Sequence, residues 1–355
     1  MSNPEMAIPI TRAPPVAAAT AARAPLRTFW GELPRALLLL AGLAALVYAA
    51  SGDNFSLNIL ASSFLFAGLA SAWNIIGGFG GQFSLAHSVF FAVGAYTTAN
   101  LYLKLGLSPW LGLVPAFLLA AAVAMLVSWP VFRLRGPFFA IATMAFTEVA
   151  LAIGNYAEWL TGGTRGLSIP FRLGVGNMIF RDRMSYALLM LGFCALTLIV
   201  VVAVHRSRLG YYLQAVRDNE QAARASGVSV LRVKLTGMAI SAGLTGIGGG
   251  LFFMQVRVAD PAALLSLFDF GVKFALIALI GGLGSVYGPV LGALVIIPLE
   301  SWLRAELGGL LPGANLIVLS LLLIGAALFM KHGIVGLGRG LAARVAAGRS
   351  TGDRA

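Results

Sequence analysis

The sequence predicts an all-α polytopic membrane protein with about ten transmembrane segments in two related halves, some of them glycine-broken or re-entrant. Of its 355 residues, 59% are hydrophobic and only 11% are charged, and the mean hydropathy is +0.89. Soluble domains carry about a quarter charged residues, so this chain lacks the polar surface that water requires. Residues 54–103 contain no Asp, Glu, Lys or Arg. Because one span takes roughly 20 residues, that run must hold two spans and a turn.

The other charge-poor runs extend this prediction along the whole chain. The apolar run ALLLLAGLAALVYAA resembles a signal peptide, but 35 residues precede it, so we interpret it as an uncleaved first span. The Pro- and Ala-rich segment 1–34 is predicted to be a disordered tail, and 331–355 a basic tail. The predicted spans are 35–52, 57–76, 84–103, 109–132, 137–157, 184–204, 236–256, 264–281, 285–302 and 313–330.

The arginines and lysines predict the orientation, because basic residues concentrate on the cytoplasmic side of membrane proteins. We therefore expect both termini and the 205–235 loop in the cytoplasm, and the 158–183 loop on the opposite side. The net charge of +12 is scattered at span ends, which is unlike a nucleic-acid groove, so no nucleic-acid partner is expected. Most of the 25 basic residues fall in segments 1–35, 77–83, 133–136, 205–235, 282–284 and 331–355.

Two glycine-broken segments lie 204 residues apart, one in each half of the chain. GGFG over residues 77–80 matches GGLG over residues 281–284. Interrupted hydrophobic segments at matching positions point to a transport pathway, because irregular backbone at membrane depth needs protein or water beside it. Helix packing through small residues is the alternative. The predicted pathway residues are Asn74, Gly77, Gly78, Gly80, Gln82, Ser84, His87, Tyr96, Gly281, Gly282 and Gly284.

Two ionisable residues within predicted spans, His87 and Glu148, are candidates for a functional role. We interpret His87 as a packing residue rather than a proton relay, because no acidic partner is near it in sequence. Glu148 is a carboxylate well inside a span, and it could pair with Arg133 or Arg135, hydrogen-bond at a helix contact, or carry protons. We favour a structural role, since proton-driven carriers usually have more than one such group.

The 205–235 loop is the most charged segment and predicts a short amphipathic helix. Residues 210–225 have good helix formers and no proline, and Gly227 can follow the helix as its terminating residue. The apolar stripe of this helix needs the membrane surface or a protein groove as its partner. That stripe contains Tyr212, Ala215, Val216, Asn219 and Ala223.

A family resemblance begins in this loop. Gln221-Ala222-Ala223, followed after three residues by Gly227, resembles the EAA loop of ABC importer permeases, although Gln221 replaces the motif's acid. Ala86 also stands where family members usually carry glycine. As a set, five segments over residues 35–335 are similar to LivM-type branched-chain amino acid ABC transporter permeases: GGFGGQFSLAHSVFFAVGAYTTANL, RLRGPFFAIATMAFTEVA, LTGGTRGL, LGYYLQAVRDNEQAARASGV and ALIGGLGSVYGPVLGALV.

The resemblance implies a transport subunit and not an enzyme. It implies a permease domain over residues 35–330 in the bacterial inner membrane, a LivH-like second permease, two ABC ATPases and a periplasmic substrate-binding protein. ATP and Mg²⁺ would be held by the ATPases, and this chain would bind no cofactor or metal. None of its lysines follows a glycine, so the P-loop pattern is absent. The implied ATPase-coupling residues are Arg217, Asp218, Glu220, Ala222, Ala223 and Gly227.

The substrate and one rival class of transporter stay open. Branched-chain amino acids are typical of the family, but related permeases carry other amino acids, urea and short amides. A proton-coupled secondary transporter would need coupling-ion ligands near the membrane midplane, and only Glu148 and His87 are candidates. A channel or scaffold would give no reason for two matched glycine breaks together with a docking helix.

Overall fold

The computed structural model describes residues 29–134 and 136–307, with side chains from residue 34, and residues 317, 318, 320, 321, 325 and 333–336. The helices are α1 (Phe29–Ala49), α2 (Asn54–Asn74), α3 (His87–Leu105), α4 (Pro109–Val131), α5 (Pro137–Tyr156), α6 (Glu158–Thr161), α7 (Arg183–Arg206), α8 (Arg208–Asp218), α9 (Glu220–Ala225), α10 (Val230–Val256), α11 (Pro261–Leu264), α12 (Lys273–Gly282) and α13 (Gly288–Leu307). A π-helical turn over Ile75–Phe79 continues α2, and a second one over Leu267–Val272 precedes α12. Strands β1 (Leu167–Ser168) and β2 (Val258–Ala259) pair antiparallel.

The long helices confirm an all-α polytopic membrane protein. Helices α1, α3 and α13 coincide with the predicted spans 35–52, 84–103 and 285–302. The predicted span 313–330 lies largely outside the described residues. Helix α1 begins at Phe29, before the predicted start at residue 35. The count of ten spans and the two related halves stay predictions. Six described stretches are long and apolar enough to cross a membrane: Asn54–Phe79, Pro109–Val131, Pro137–Tyr156, Arg183–Arg206, Val230–Val256 and Pro261–Gly282.

The chain reverses at two ends of the helix bundle. The ribbon end carries β1, β2 and the loop after α6, where the indole of Trp110 donates a hydrogen bond to the Val175 carbonyl. The short-helix end carries α8, α9 and the turns that follow Phe79 and Gly282. A Cβ on Gly333 would lie against Gly282, which places residue 333 at the short-helix end. The charge pattern groups the loops in the same way: it assigns the loops of the short-helix end to the cytoplasm and the 158–183 loop of the ribbon end to the opposite side.

Helix α10 packs centrally, against α2, α3 and α4. A Cβ on Gly249 would overlap the carbonyl oxygen of Phe91, and a Cβ on Gly94 would overlap that of Gly246. Small residues let helix backbones approach this closely in membranes. Between α3 and α10, therefore, glycine serves helix packing. For the two glycine-broken segments, packing was the alternative to a transport pathway.

The chain between Phe79 and α3 turns back into the bundle. His87, the first residue of α3, lies with its Nε2 atom 2.9 Å from the hydroxyl of Ser241. Ser241 is in the interior of α10, which begins at Val230, so at 1.5 Å per residue it lies roughly 16 Å from that helix start. The preceding irregular residues therefore run at membrane depth, whereas the sequence predicted 77–83 as a cytoplasmic segment.

Side chains of neighbouring helices satisfy this irregular backbone. The hydroxyl of Thr143 in α5 accepts the Leu85 N–H at 3.1 Å. The indole of Trp73 donates to the Ser84 carbonyl at 2.7 Å. Non-helical backbone at such depth is tolerated where protein supplies the missing hydrogen bonds. The loop is thus held in place by α2 and α5.

Candidate functional site

The two glycine-broken segments meet each other at the short-helix end. Asn74, fully buried in the last turn of α2, donates from Nδ2 to the Ser285 carbonyl at 2.8 Å. Its Oδ1 accepts the Gly284 N–H at 2.9 Å. One amide side chain therefore joins segments that lie more than 200 residues apart in sequence. We call Asn74, residues 77–81, residues 281–285 and Arg217 the glycine junction.

Arg217 attaches α8 to this junction. Its Nη1 donates to the Gly78 carbonyl at 3.0 Å. Carbonyl groups at the end of a helix lack intrahelical partners, and a cation there also suits the helix dipole. The guanidinium therefore binds the end of α2 at the point where the second glycine-broken segment touches it.

Gly284 is required at the junction for two reasons. Its φ is +74°, in the left-handed region that side chains disfavour. A Cβ there would lie 3.0 Å from Arg217 Nη1 and 3.3 Å from the Gly78 carbonyl oxygen. Glycine is required at position 281 for a different reason: a Cβ there would overlap the carbonyl oxygen of Gly288 in α13. Gly281 therefore holds α12 and α13 together, whether or not it lines a pathway.

The prediction of one helix over residues 210–225 is wrong. Helix α8 ends at Asp218 and α9 begins at Glu220. Asn219 between them is extended, with φ −157° and ψ 104°, and its side chain accepts the Ala222 N–H at 3.0 Å. Asparagine favours this capping position because its side chain competes with the helical backbone bonds. The predicted stripe is consequently divided, with Val216 buried beneath α8 and Ala223 beneath α9.

Gly227 follows α9 as predicted. Its φ is +85°, and its N–H binds the Arg224 carbonyl at 3.0 Å. The N–H of Val228 binds the Ala223 carbonyl at 3.1 Å. This pair of bonds is the Schellman arrangement, which satisfies the last carbonyls of a helix when the residue after it is left-handed. Gly227 therefore fixes the end of α9 and the turn that leads into α10.

We expect Gly227→Ala to lower the free energy of unfolding by about 1 kcal/mol, because alanine is strained at positive φ. Nothing lies within 4 Å of a Cβ at this position, so steric overlap adds no cost. Gly227→Asn should lose less, since asparagine adopts this conformation more readily. Denaturation of the purified protein in detergent measures both changes. Equal losses for the two variants would contradict backbone strain as the cause.

The charged residues of α8 and α9 divide between inward and outward positions. Glu220 accepts from Lys234 Nζ at 2.8 Å and from Arg224 at 3.0 Å, so its carboxylate points toward α10. Lys234 is buried. Asp218 is 69% exposed and pairs with Arg217 at 3.2 Å. Of the three charges implied to contact an ATPase, only Asp218 has a mainly exposed side chain.

A groove runs between α8 and α9 on the outer surface of the short-helix end. Its volume is about 420 Å³. Small side chains such as Ala222 give it a shallow floor, and Tyr211 at its edge is 71% exposed. A shallow apolar floor beside aromatic rings suits a protein surface. The lining residues are Tyr211, Tyr212, Ala215, Asp218, Asn219, Ala222, Ala223, Ser226 and Val228.

His87 lies deeper than the junction and has both ring nitrogens paired. The Ser241 hydroxyl donates to the Ala72 carbonyl at 2.6 Å, so it accepts from His87 Nε2–H at 2.9 Å. His87 Nδ1 then accepts from the Ser84 hydroxyl at 3.1 Å. These bonds suit a neutral imidazole with no carboxylate partner. The geometry therefore favours the packing role over a proton relay.

The remaining predicted pathway residues lie apart from one another. Gln82 borders a small cavity of about 170 Å³ together with Asn219 and Lys234. Tyr96 is buried further along α3, with its ring 6.1 Å from that of Phe253. The structure therefore brings the glycines and Asn74 together but places Gln82, His87 and Tyr96 at other depths. That these residues line a pathway stays a prediction.

Glu148 is exposed on the outer side of α5. It makes no ion pair with any residue in the described part of the chain. The considered pair with Arg133 does not form, and that guanidinium lies over the Trp129 ring, 5.4 Å from its centre. Arg135, the other considered partner, lies outside the described residues.

Sequence reasoning missed an ion pair at membrane depth. Glu300 of α13 accepts from Lys273 Nζ at 3.0 Å and from Arg304 at 2.9 Å. Lys273 Nζ also lies 5.3 Å from the centre of the Phe66 ring, and Phe66 is near the middle of Asn54–Phe79. The predicted span 264–281 contains Lys273, but no partner was assigned to that lysine. The i, i+4 spacing of Glu300 and Arg304 was the available signal for a carboxylate held inside a span.

Comparisons with known proteins agree with this architecture. A family model described as "Branched-chain amino acid transport system / permease component" matches residues 55–330. The chain is 32% identical over 257 residues to the high-affinity branched-chain amino acid transport system permease protein LivM of Escherichia coli, covering 65% of this chain and 59% of that protein. For LivM of Salmonella typhimurium the identity is 31% over 275 residues, covering 70% of this chain and 64% of that protein.

A more distant relative has the other permease name. The probable permease protein LivH of Methanocaldococcus jannaschii is 26% identical over 273 residues, covering 72% of this chain and 83% of that protein. No solved structure matches the chain. The matched region spans about three fifths of the length of the two LivM relatives. Because the family model covers most of the chain, this protein belongs to the branched-chain amino acid transport permease family.

Proposed function

We propose that this chain is a permease subunit of an ATP-driven importer that carries branched-chain or related amino acids across the bacterial inner membrane. Its proposed partners are a LivH-like permease, two ABC ATPases and a periplasmic substrate-binding protein. The names of the relatives support the substrate class. Similarity to proteins with both permease names supports a pair of homologous membrane subunits.

The contact of Arg217 with the Gly78 carbonyl, 3.0 Å long, carries the proposal. The groove between α8 and α9 offers an ATPase a shallow surface outside the membrane segments. Movement of α8 would pull on the end of α2 through Arg217. Asn74 would pass the displacement to the second glycine-broken segment, because it binds Gly284 and Ser285 directly.

In this mechanism the chain transmits force and forms the passage, and no step of ATP chemistry occurs on it. ATP and Mg²⁺ would be bound by the ATPases. The two glycine-broken segments sit at the short-helix end, which the charge pattern assigns to the cytoplasm. Closure of the ATPases would move α8 and α9 and thereby change how α2 and α12 approach each other at the proposed cytoplasmic exit.

A proton-coupled carrier is less well supported by the charges at membrane depth. Lys273 and Glu300 already pair with each other, and the nitrogens of His87 bind hydroxyl groups. Glu148 is then the remaining candidate among the residues named for coupling. A permease of the same family for urea or short amides stays the alternative for substrate, since no residue at the junction distinguishes these ligands.

Reconstitution of the two permeases and the two ATPases in lipid vesicles, together with the binding protein, tests the proposal. We expect uptake of leucine to require ATP and the binding protein. It should persist when an ionophore collapses the proton gradient. Uptake that follows an imposed proton gradient without ATP would contradict the ATP-driven mechanism. ATP-dependent uptake of urea and not of amino acids would support the ATP-driven mechanism but contradict the proposed substrate class.

We expect Ala222→Glu to reduce binding of the ATPases by about tenfold, because it places a charge on the apolar floor of the groove. Ser229→Glu is the matched control: it adds the same charge at the same end, but Ser229 is exposed and outside the groove lining. Co-purification of the ATPases with each variant measures the effect. Equal binding by both variants would show that the groove is not the docking surface.

A further inference from the structure

Glu148 occupies an unusual place on α5. It lies eleven residues after Pro137, the first residue of this helix, so at 1.5 Å per residue it is about 16 Å from the helix start. Phe139, Thr143, Thr147 and Gly154 make up the buried side of α5. Glu148 points away from that side. A carboxylate is therefore placed near mid-membrane on the outer surface of this chain.

Lipid is a poor neighbour for this carboxylate. Ionisable groups at mid-membrane face a protein interior or a water-filled cavity and pair with other groups, because hydrocarbon cannot solvate them. No described residue of this chain pairs with Glu148. A hydrogen-bond donor from outside the described part of this chain must therefore cover it.

The residues around Glu148 indicate what kind of molecule supplies this donor. Ala145 and Ala152 are exposed, lie seven residues apart and flank Glu148 on the same side of α5. Small residues on one side of a helix allow the backbone of a second helix to approach closely. We call Ile141, Ala145, Glu148 and Ala152 the Glu148 face. Its mixture of small residues and one polar group is typical of a helix–helix contact in membranes.

The outer side of α4 provides the contrast. Its exposed residues include Leu111, Val114, Leu118 and Leu126, which are large and apolar. Helix α4 contains no charged residue between Pro109 and Val131. Large aliphatic side chains without polar groups suit the hydrocarbon of the bilayer. Helix α5 also exposes large apolar residues such as Phe138 and Val149, so the carboxylate of Glu148 is what distinguishes its outer side from that of α4.

We infer that the Glu148 face of α5 packs against the second permease subunit, an inference that rests on the proposed function. A facing helix of that subunit supplies the donor for the Glu148 carboxylate. Homologous subunits associate most often about a two-fold axis, which brings corresponding surfaces together. A homologous membrane chain is therefore the partner that can cover a mid-membrane face of this length.

Photo-crosslinking tests the contact directly. The photoreactive amino acid benzoylphenylalanine replaces Ala145 in one variant and Leu118 in a control, and each variant is co-expressed with the tagged second permease. We expect an adduct with the second permease from position 145 and at least tenfold less from position 118. An adduct only with a second copy of this chain, or no protein adduct from position 145, would overturn the inference.

Substitution of Glu148 itself provides the second readout. We expect Glu148→Leu to reduce co-purification of the second permease about tenfold, while the amount of this chain in the membrane stays unchanged. Glu148→Gln should retain at least half of the partner, because an amide still accepts a hydrogen bond. Full retention of the partner by Glu148→Leu would overturn the inference. If Glu148→Leu is absent from the membrane, the crosslinking result decides.

The two experiments also separate this inference from the proposed function. If the variant with benzoylphenylalanine at position 145 crosslinks to the second permease but the wild-type chain never binds an ATPase, the importer proposal fails and the contact stands. If ATPases bind but the crosslink is absent, the importer proposal stands and the contact fails.

Discussion

Arg217→Ala should lower ATP-driven uptake by about 10- to 100-fold while the ATPases remain bound. A hydrogen bond from a charged group contributes roughly 1.5–3 kcal/mol, and each 1.4 kcal/mol corresponds to a factor of ten. The Arg217–Gly78 contact is a direct polar link from α8 to the glycine junction. Without this link, α8 can move without moving the end of α2. We therefore expect ATP turnover to continue while uptake falls.

Arg208→Ala is the matched control. Arg208 is exposed at the start of the same helix and loses the same charge when it is replaced. The measurement is the number of substrate molecules taken up per ATP hydrolysed in reconstituted vesicles. We expect this ratio to fall for Arg217→Ala and to stay unchanged for Arg208→Ala. If Arg217→Ala instead loses the ATPases, its main role is docking and not transmission.

Asn74→Leu should lower the free energy of unfolding by about 1–3 kcal/mol, because two half-buried backbone groups lose their partner and each hydrogen bond contributes about 0.5–1.5 kcal/mol. Those groups are the Gly284 N–H and the Ser285 carbonyl. Leucine has nearly the shape of asparagine, so the loss reflects hydrogen bonding more than packing. The melting temperature in detergent measures it, and we expect uptake to be lost as well.

Asn58→Leu provides the control for this second prediction. Asn58 belongs to the same helix but is exposed. We expect its replacement to change the melting temperature little. A similar change in both variants would mean that the Asn74 bridge does not hold the two glycine-broken segments together. A stable Asn74→Leu protein that has lost uptake would indicate that the bridge acts in transmission alone.

Local signals in the sequence were sufficient for the helices and for one of their ends. Long apolar runs predicted where α2, α3, α4, α5 and α7 lie, because a membrane span needs a minimum apolar length whatever it packs against. Gly227 ended α9 as predicted, since a left-handed residue after a helix is a local backbone requirement. The interruption at Asn219 was missed because its capping bond competes with a helix that the composition favours equally well.

Contacts between distant residues were beyond the reach of the sequence. The repeated GGxG pattern indicated two related segments, but the amide of Asn74 that joins them became visible only in the fold. The ion pair of Lys273 with Glu300 was missed for the same reason. Lys273 follows a π-helical turn and Glu300 lies in the next helix, so only the packing of α12 against α13 brings the two side chains together.

The sequence by itself determined the class of this protein, the location of its helices and its family, because apolar length, charge bias and motif order are properties of the chain read in one dimension. Only the tertiary structure decided that both glycine-broken segments and Arg217 form one junction, and that Glu148 lies on an outer face. The direction of a side chain depends on how neighbouring helices are rotated and packed. That rotation is set by many weak contacts over the whole bundle, which no local pattern encodes.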